Sequence, residues 1–207
     1  MTQYIFPPSS PPSLPVSGQT ARFPVRRIYC VGRNYAEHAR EMGHDPEREP
    51  PFFFAKPADA LLTDGGVLPY PPMTTDLHYE AELVVAIGKP GAAISPEDAA
   101  DLIWGFAAGN DFTRRDLQSE AKKLARPWDM SKGFDLSAAC GTLHPVAETG
   151  PMQSGFIRLW VDDELRQDGD LGQMIWSVPE VIAHLSRFVT LQPVTSGSSP
   201  SISTVTR

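Results

Sequence analysis

Three acidic side chains have the types and the spacing to bind a metal ion, and two of them are Glu80 and Glu82. They lie two residues apart in the segment His78–Gly88, whose aliphatic and β-branched residues predict a strand. Alternate residues of a strand share a face, so both carboxylates would lie beside Val84 and Ala86. Two like charges entering a core repel each other and lose hydration, and a bound divalent cation relieves both costs. The alternative is a solvated strand end with two exposed glutamates.

The third acidic residue, Asp111, completes the candidate metal site. It follows the apolar run 103–108 and the pair Gly109–Asn110, which predicts a position at the end of a strand. Strand ends and the loops beyond them often carry functional side chains. On its own, such an aspartate is more often a turn former or a cap. With Glu80 and Glu82 it would form an all-carboxylate site, and oxygen ligands suit Mg²⁺, Mn²⁺ or Ca²⁺.

A candidate general base lies earlier in the chain. His38 and Glu41 are three residues apart in a short helix predicted over residues 35–42, so they share one face. A carboxylate bonded to an imidazole fixes its tautomer and raises its basicity, as a general base requires. The alternative is an ordinary ion pair on the surface of the helix.

Two basic residues could contact a substrate. Lys132 lies between small residues and beside Met130 and Phe134, so it could enter a cleft and stabilise a developing oxyanion. Arg33 follows a predicted strand and could bind a substrate carboxylate. Solvated lysines are much commoner than lysines with such a role. The other basic residues nearby fit a mostly solvated helix face, namely Arg114, Arg115, Lys122 and Lys123.

Composition excludes some classes of partner. The chain has 207 residues and a net charge of −7, which argues against nucleic acids and anionic membranes as partners. Its two cysteines, Cys30 and Cys140, form no CxxC motif and predict buried free thiols, which fit a reducing compartment. The first residues do not have the pattern of a secretory signal, and no run of 18 apolar residues occurs. We therefore expect a cytoplasmic protein.

The order of predicted elements favours a mixed α/β fold that is mainly β, rather than a regular βαβ sheet. A hairpin turn is predicted at Asp162–Asp163, and Ser177 with Glu180 predicts a capping box at a helix start. Strands are predicted over residues 27–32, 52–55, 78–88, 103–108 and 156–162, and helices over residues 35–42, 95–102, 114–125 and 177–188.

The chain divides into a Pro/Ser-rich extension (1–22), a main domain (23–193) and a Ser/Thr-rich tail (194–207). The tail contains no acidic residue and no hydrophobic pattern that indicates a core strand. Two interpretations remain open. Either the domain ends in a disordered tail, or the chain is cut short by a frameshift or a truncated gene model.

Six segments within residues 22–193 together resemble the fumarylacetoacetate hydrolase family, and especially its bacterial fumarylpyruvate hydrolase branch. They occur in the family's order and with its natural spacing. The segments are VGRNYAEHAREMG (31–43), PPFFFAKPADAL (50–61), DLHYEAELVVAIGK (76–89), NDFTRRDLQSEAKK (110–123), RPWDMSKGFD (126–135) and RQDGDLGQMIWSVPEVIAHLSRFVTLQP (166–193).

The resemblance implies a fold, an assembly and a set of residue roles. The fold would be a β-roll with flanking short helices, usually in a homodimer, and the cofactor would be Mg²⁺ or Mn²⁺, with Ca²⁺ as a further option. The implied roles are metal ligands, Glu80, Glu82 and Asp111; a water-activating dyad on a mobile lid, His38 and Glu41; a lysine that contacts substrate oxygens, Lys132; and substrate-binding residues, Arg33 and Gln118.

The resemblance also implies an activity. A small anionic 2-oxo acid, fumarylpyruvate or a related acylpyruvate, would be hydrolysed at a carbon–carbon bond to fumarate and pyruvate in gentisate-type aromatic catabolism. Oxaloacetate or 2-oxo-diacid decarboxylation, or isomerisation of a 2-hydroxymuconate-type compound, is an enzymatic alternative. After residue 193 the chain departs from the family, whose next strands and loop border the active site. An inactive homologue that binds only a metal or a dicarboxylate is therefore a third hypothesis.

Overall fold

The computed structural model describes residues 3–32, 34–35 and 49–192, and the backbone of residues 201–205. The expected mixed α/β fold with many short strands is confirmed. The strands are β1 (Ser13–Leu14), β2 (Phe23–Pro24), β3 (Arg27–Gly32), β4 (Phe52–Lys56), β5 (Leu61–Leu62), β6 (Leu77–His78), β7 (Ala81–Ile87), β8 (Ile103–Asp111), β9 (Thr113–Arg114), β10 (Ala138–Cys140), β11 (His144–Pro145), β12 (Phe156–Val161), β13 (Glu164–Asp170) and β14 (Ser201–Val205).

Short helices flank these strands. None of the helices in the described part of the chain has the length and apolar character that a membrane span requires. The α-helices are α1 (Pro96–Ala99), α2 (Arg115–Lys123), α3 (Asp129–Lys132), α4 (Val146–Thr149) and α5 (Val178–Ser186), and 3-10 turns lie at Ala58–Ala60, Ala100–Leu102 and Leu171–Gln173.

One large sheet contains most of the strands. Its order is β4–β3–β14–β7–β8–β10–β5, and β11 also pairs with β8. β7 and β8 are antiparallel, with Ala81 opposite Asn110 and Glu82 opposite Gly109. This register brings the start of β7 beside the end of β8, where Asp111 is the last strand residue. The smaller pairs are β1–β2, β6–β9 and β12–β13.

β7 is buried on both faces, because a hydrophobic cluster covers each side of it. Val84 and Ala86 belong to one cluster, while Leu83, Val85 and Ile87 belong to the other. This is the period of two that a strand requires. All seven residues of the strand are buried, so Glu82, its second residue, already lies in the core. The solvated strand end that was the alternative therefore does not apply to Glu82.

The expected strand over residues 78–88 is wrong in one respect. The segment forms two strands, β6 and β7, with Tyr79 and Glu80 between them. β6 pairs with β9, whereas β7 pairs with β8. Glu80 thus lies at the junction between these two pairings.

Local capping and turn signals were predicted well. Ser177 and Glu180 form the expected capping box at the start of α5, which ends at Ser186, two residues before the expected end. Asp162 and Asp163 both have positive φ, as a two-residue hairpin turn of type I′ requires, and they join β12 to β13.

The Ser/Thr-rich stretch contains a strand that the sequence pattern did not predict. Residues 193–200 and 206–207 lie outside the described residues, but Ser201–Val205 form β14. Its backbone pairs in parallel with β3 and antiparallel with β7, so it lies inside the large sheet. The domain boundary at residue 193 stays a prediction.

Candidate metal and substrate site

The three predicted carboxylates come together. Each of Glu80, Glu82 and Asp111 offers an oxygen, and these oxygens lie within 4.8 Å of one another. The backbone holds the group in place, because the Asp111 N–H donates to Glu80 O at 2.8 Å. The Glu80 N–H in turn donates to Asn110 Oδ1 at 2.9 Å. The site therefore depends on the junction between β7 and β8.

Lys132 contacts this carboxylate group directly. Its Nζ donates to Glu80 Oε2 at 2.7 Å and to Asp111 Oδ2 at 2.8 Å. The residue ends the short helix α3, and only 3% of its side chain is exposed. The structure thus places Lys132 at the cluster, as expected of a lysine that enters a cleft.

Lys56 is a member of the site that the sequence analysis missed. Its Nζ lies 2.7 Å from Asp111 Oδ1, and both side chains are 1% exposed. It also donates to Phe112 O at 3.2 Å, to Ser137 O at 3.1 Å and to Lys132 O. An ammonium group has three N–H donors, so these three carbonyls can use all of them. One buried cation therefore links a metal-ligand candidate to the backbone that carries Lys132.

Arg115 corrects the expectation of a mostly solvated helix face. Its Nη2 forms an ion pair with Glu80 Oε1, and its Nη1 donates to Gln118 Oε1 at 2.6 Å. Its Nε donates to His78 Nδ1 at 3.3 Å, and His78 Nε2 lies 2.9 Å from Asp76 Oδ1. Gln118 is buried next to this network. α2 therefore turns a polar face toward the carboxylates.

The charges of the site compensate one another. Burial opposes ionisation of Glu80, but the charges of Lys132 and Arg115 outweigh it and hold the pKa of Glu80 below its usual value. Burial likewise opposes protonation of Lys132, but the charges of Asp111, Glu80 and Glu82 outweigh it and raise the pKa of Lys132. Glu80 is thus ionised and Lys132 is protonated near neutral pH. We call the three carboxylates together with Lys56 and Lys132 the charged centre.

The donor set fits a hard divalent cation. All of the candidate ligands are carboxylate oxygens, which Mg²⁺, Mn²⁺ and Ca²⁺ accept. Among the described residues, Asp111 Oδ1 is buried and accepts no directed hydrogen bond, although Lys56 Nζ is close to it. An oxygen so placed can turn to a metal ion without losing a hydrogen bond.

Gln167 is a second residue that the sequence analysis missed. Its side chain accepts from the Ala81 N–H and donates to Ala81 O, both at 2.8 Å. Ala81 lies between two of the carboxylates, so a buried amide from β13 fixes the start of β7. A lone glutamine in a mostly exposed hairpin strand carries no sequence signal for this role.

The two cysteines confirm the expectation of buried free thiols. Burial raises the pKa of Cys140 to about 12, so its thiol stays protonated at neutral pH. Both cysteines line a small cavity beside Lys56, Glu82 and Asp111. Hard divalent cations prefer oxygen ligands to sulfur, so Cys140 is not among the candidate ligands.

Three of the predicted site residues, Arg33, His38 and Glu41, lie outside the described residues. Their roles stay predictions.

Comparison with known proteins gives a family match. A family model described as "Fumarylacetoacetate (FAA) hydrolase C-terminal" matches residues 27–199. A Ralstonia fumarylpyruvate hydrolase is 42% identical over 149 residues, which cover 72% of this chain and 77% of that protein. A mitochondrial oxaloacetate decarboxylase of Dictyostelium discoideum is 39% identical over 170 residues, which cover 81% of this chain and 77% of that protein.

The fold has a solved counterpart. The crystal structure of fumarylpyruvate hydrolase from Pseudomonas aeruginosa, in complex with Mn²⁺ and pyruvate, superposes with a TM-score of 0.89 at 50% identity. The match covers 99% of this chain and 86% of that chain.

Proposed function

The chain belongs to the fumarylacetoacetate hydrolase family, and from this premise we propose that it hydrolyses a carbon–carbon bond in fumarylpyruvate or a related acylpyruvate. The products would be fumarate and pyruvate. The observation that carries the proposal is the charged centre, in which three carboxylates lie within 4.8 Å of one another and Lys132 bridges two of them. This arrangement supplies ligands for a metal ion and a cation for a developing enolate.

Glu80, Glu82 and Asp111 would hold a divalent ion, Mg²⁺ or Mn²⁺. When bound, such an ion polarises the carboxylate and 2-oxo oxygens of the substrate and stabilises negative charge on them. A manganese complex of the Pseudomonas relative supports a divalent metal. We propose one of these two ions as the native cofactor.

The chain's own residues would bind and orient the substrate. Lys132 would donate a hydrogen bond to an oxygen of the departing pyruvate enolate, because its ammonium group already lies among the carboxylates. Arg115 and Gln118 would bind the carboxylate of the pyruvyl end, since a guanidinium presents a fork that matches a carboxylate. We also keep Arg33 as a substrate-binding residue.

We propose that His38, held by Glu41, takes a proton from the attacking water. The hydroxide would add to the distal carbonyl carbon, and the bond between that carbon and the methylene carbon would break. Its electron pair goes to the pyruvyl fragment as an enolate, which takes up a proton to give pyruvate. The acyl fragment leaves as fumarate.

A decarboxylase of oxaloacetate or another 2-oxo diacid is the second candidate, supported by the Dictyostelium relative. The same cation stabilisation of an enolate would serve that reaction, and it would also serve an isomerase. Product analysis separates the three, because decarboxylation releases carbon dioxide and isomerisation leaves the molecular formula unchanged. An inactive homologue would bind metal without forming any product.

The proposal also covers the compartment, the pathway, the oligomeric state and the domain bounds. We propose a cytoplasmic enzyme of aromatic-compound breakdown that acts as a homodimer on a small anionic 2-oxo acid. The two free thiols fit a reducing compartment. We also propose the main domain over residues 23–193, flanked by the extension 1–22 and the tail 194–207.

The test is a turnover assay of the purified 207-residue chain with fumarylpyruvate and Mg²⁺, following loss of the enol absorbance and release of pyruvate. We expect turnover that EDTA abolishes. Glu80→Ala should lower it at least about a hundredfold, because removing even an outer partner of a metal ligand typically costs 10- to 100-fold. The matched control is Glu97→Ala on the exposed start of α1. Folded, metal-binding protein without turnover would contradict the hydrolase proposal.

A further inference from the structure

One face of α2 leads away from the charged centre. Arg115, Gln118 and Lys122 share this face, because they are three and seven residues apart on a helix. Arg115 contacts both Glu80 and Gln118, so the start of the face lies at the centre. The helical rise puts the Cα of Lys122 about 10 Å farther along. The face therefore leads from the carboxylates, which Arg115 contacts, to the cationic side chain of Lys122.

Lys122 differs from its neighbour Lys123. Lys122 is half-buried, and its Nζ lies 5.3 Å from the centroid of the Trp128 ring. Lys123 is exposed. A cation over an aromatic face is held in place by that ring. Lys122 is thus a positioned cation rather than one of a solvated pair.

Aromatic rings also connect Lys122 to the centre. The Phe54 ring centroid lies 5.1 Å from Lys132 Nζ. The Trp128 ring lies 5.6 Å from the Phe54 ring, centroid to centroid, and Lys122 Nζ is next to Trp128. A continuous series of contacts therefore runs from Lys132, through the Phe54 and Trp128 rings, to Lys122.

We propose that Lys122 binds the distal carboxylate of a seven-carbon 2-oxo diacid, whose 2-oxo end lies at the charged centre and whose acyl chain lies against Phe54 and Trp128. The inference rests on the proposed function, and it names the class of substrate. Carbon–carbon bond lengths put the terminal carboxyl carbons of an extended seven-carbon diacid about 7 to 8 Å apart. The Cα atoms of Arg115 and Lys122 lie about 10 Å apart along α2. A diacid of this length can span that distance because the two side chains reach toward its ends.

The proposal separates long diacids from short ones. A four-carbon 2-oxo diacid spans about 4 Å between its carboxyl carbons and cannot reach both ends of the face. Lys122 should therefore matter for long acyl groups that end in a carboxylate and not for oxaloacetate. An acyl group without a distal carboxylate would still contact the two rings, but it would form no ion pair with Lys122.

Binding of two matched ligands tests this without turnover. The ligands are 2-oxoheptanedioate and 2-oxoheptanoate, which differ only in the distal carboxylate and lack the 4-oxo group that hydrolysis needs. We expect the Mn²⁺-loaded full chain to bind the diacid about 10 to 100 times more tightly by isothermal titration calorimetry, the range for a charge-assisted hydrogen bond. Lys122→Met should remove this preference, and Lys122→Arg should restore part of it.

Lys123→Met is the matched control and should keep the full preference. Equal binding of the two ligands by the unaltered chain, or no binding of either, would overturn the inference. An unchanged preference in Lys122→Met, or an equal loss in Lys123→Met, would do the same. If Lys122→Met does not fold, Lys122→Gln takes its place.

The turnover assay distinguishes the two proposals. Absence of hydrolysis with the diacid preference intact would reject the hydrolase and keep the subsite. Hydrolysis of acylpyruvates without the preference would keep the hydrolase and reject the subsite.

Discussion

Two regions of the molecule each contain several oppositely charged side chains at similar distances, but their surroundings differ. In the charged centre, Lys132 Nζ lies 2.7 Å from Glu80, and the two side chains are 3% and 14% exposed. In the β12–β13 hairpin, Arg158 Nε lies 2.8 Å from Asp168, and the side chains are 36% and 49% exposed. The distances are nearly equal, so distance alone does not set the strength of a pair.

The difference lies in what each group would lose without its partner. A buried charge that loses its partner stays away from water, and the cost is several kcal/mol. An exposed charge is hydrated again at once, so an exposed pair typically contributes less than about 1 kcal/mol. The centre is therefore an interdependent unit, whereas the hairpin pairs can be removed one at a time.

The largest effect should follow Lys56→Met, which breaks the centre. The substitution leaves Asp111 without its nearest cation and removes one donor from each of three carbonyl oxygens. We expect a loss of about 3 to 5 kcal/mol in the free energy of unfolding, the range for breaking a buried pair. Urea denaturation measures it. Mn²⁺ affinity, measured by calorimetry, should fall as well because Asp111 loses its orientation.

A double-mutant cycle with Asp111→Asn gives the control for this prediction. The two changes should couple, so that the double variant loses less stability than the sum of the single variants. A loss below 1 kcal/mol in Lys56→Met, or additive losses in the cycle, would mean that the centre is not an interdependent unit.

An intermediate effect should follow Gln167→Ala, because this residue joins the hairpin to the centre. Its amide makes two hydrogen bonds to Ala81, and their loss leaves a buried N–H and a buried C=O of β7 without partners. We expect destabilisation of about 2 kcal/mol in urea denaturation, since each buried unsatisfied group costs 1 to 3 kcal/mol. Unchanged stability would show that water replaces the amide.

The smallest effect should follow Arg158→Ala in the hairpin. The guanidinium pairs with Asp168 and lies 4.1 Å from the Phe156 ring centroid, but all three side chains are at least partly exposed. We expect a change of less than about 1 kcal/mol in the free energy of unfolding. Mn²⁺ affinity should stay unchanged. A loss as large as that of Lys56→Met would remove the contrast between the two regions.

Signals that act over a few residues predicted much of this structure. The capping box of Ser177 and Glu180, the turn at Asp162–Asp163 and the alternation of β7 all depend on neighbours in the chain. The three carboxylates also lie together as expected, while their role as metal ligands stays a prediction. Two of them lie within one short segment, and Asp111 follows an apolar run that could be assigned to a strand.

What could not be predicted depends on distant parts of the chain. Lys56 ends an apolar strand, and its role requires Asp111, 55 positions later. Periodicity shows that Arg115 lies on a polar helix face, but it does not show that this face turns toward Glu80. The backbone pairing of residues 201–205 depends on two strands far earlier in the chain and needs no hydrophobic pattern.

The position of β14 also has a consequence for folding during synthesis. β14 is the last described strand in the chain, yet it lies between β3 and β7. A ribosome makes both neighbours long before it makes Ser201–Val205, so neither can complete its hydrogen bonds on that side until those residues have been made. Pairing at such sequence separation is slow, because loop closure must precede any gain. The nascent chain would therefore expose two open strand edges, which are sites for chaperone binding or for aggregation.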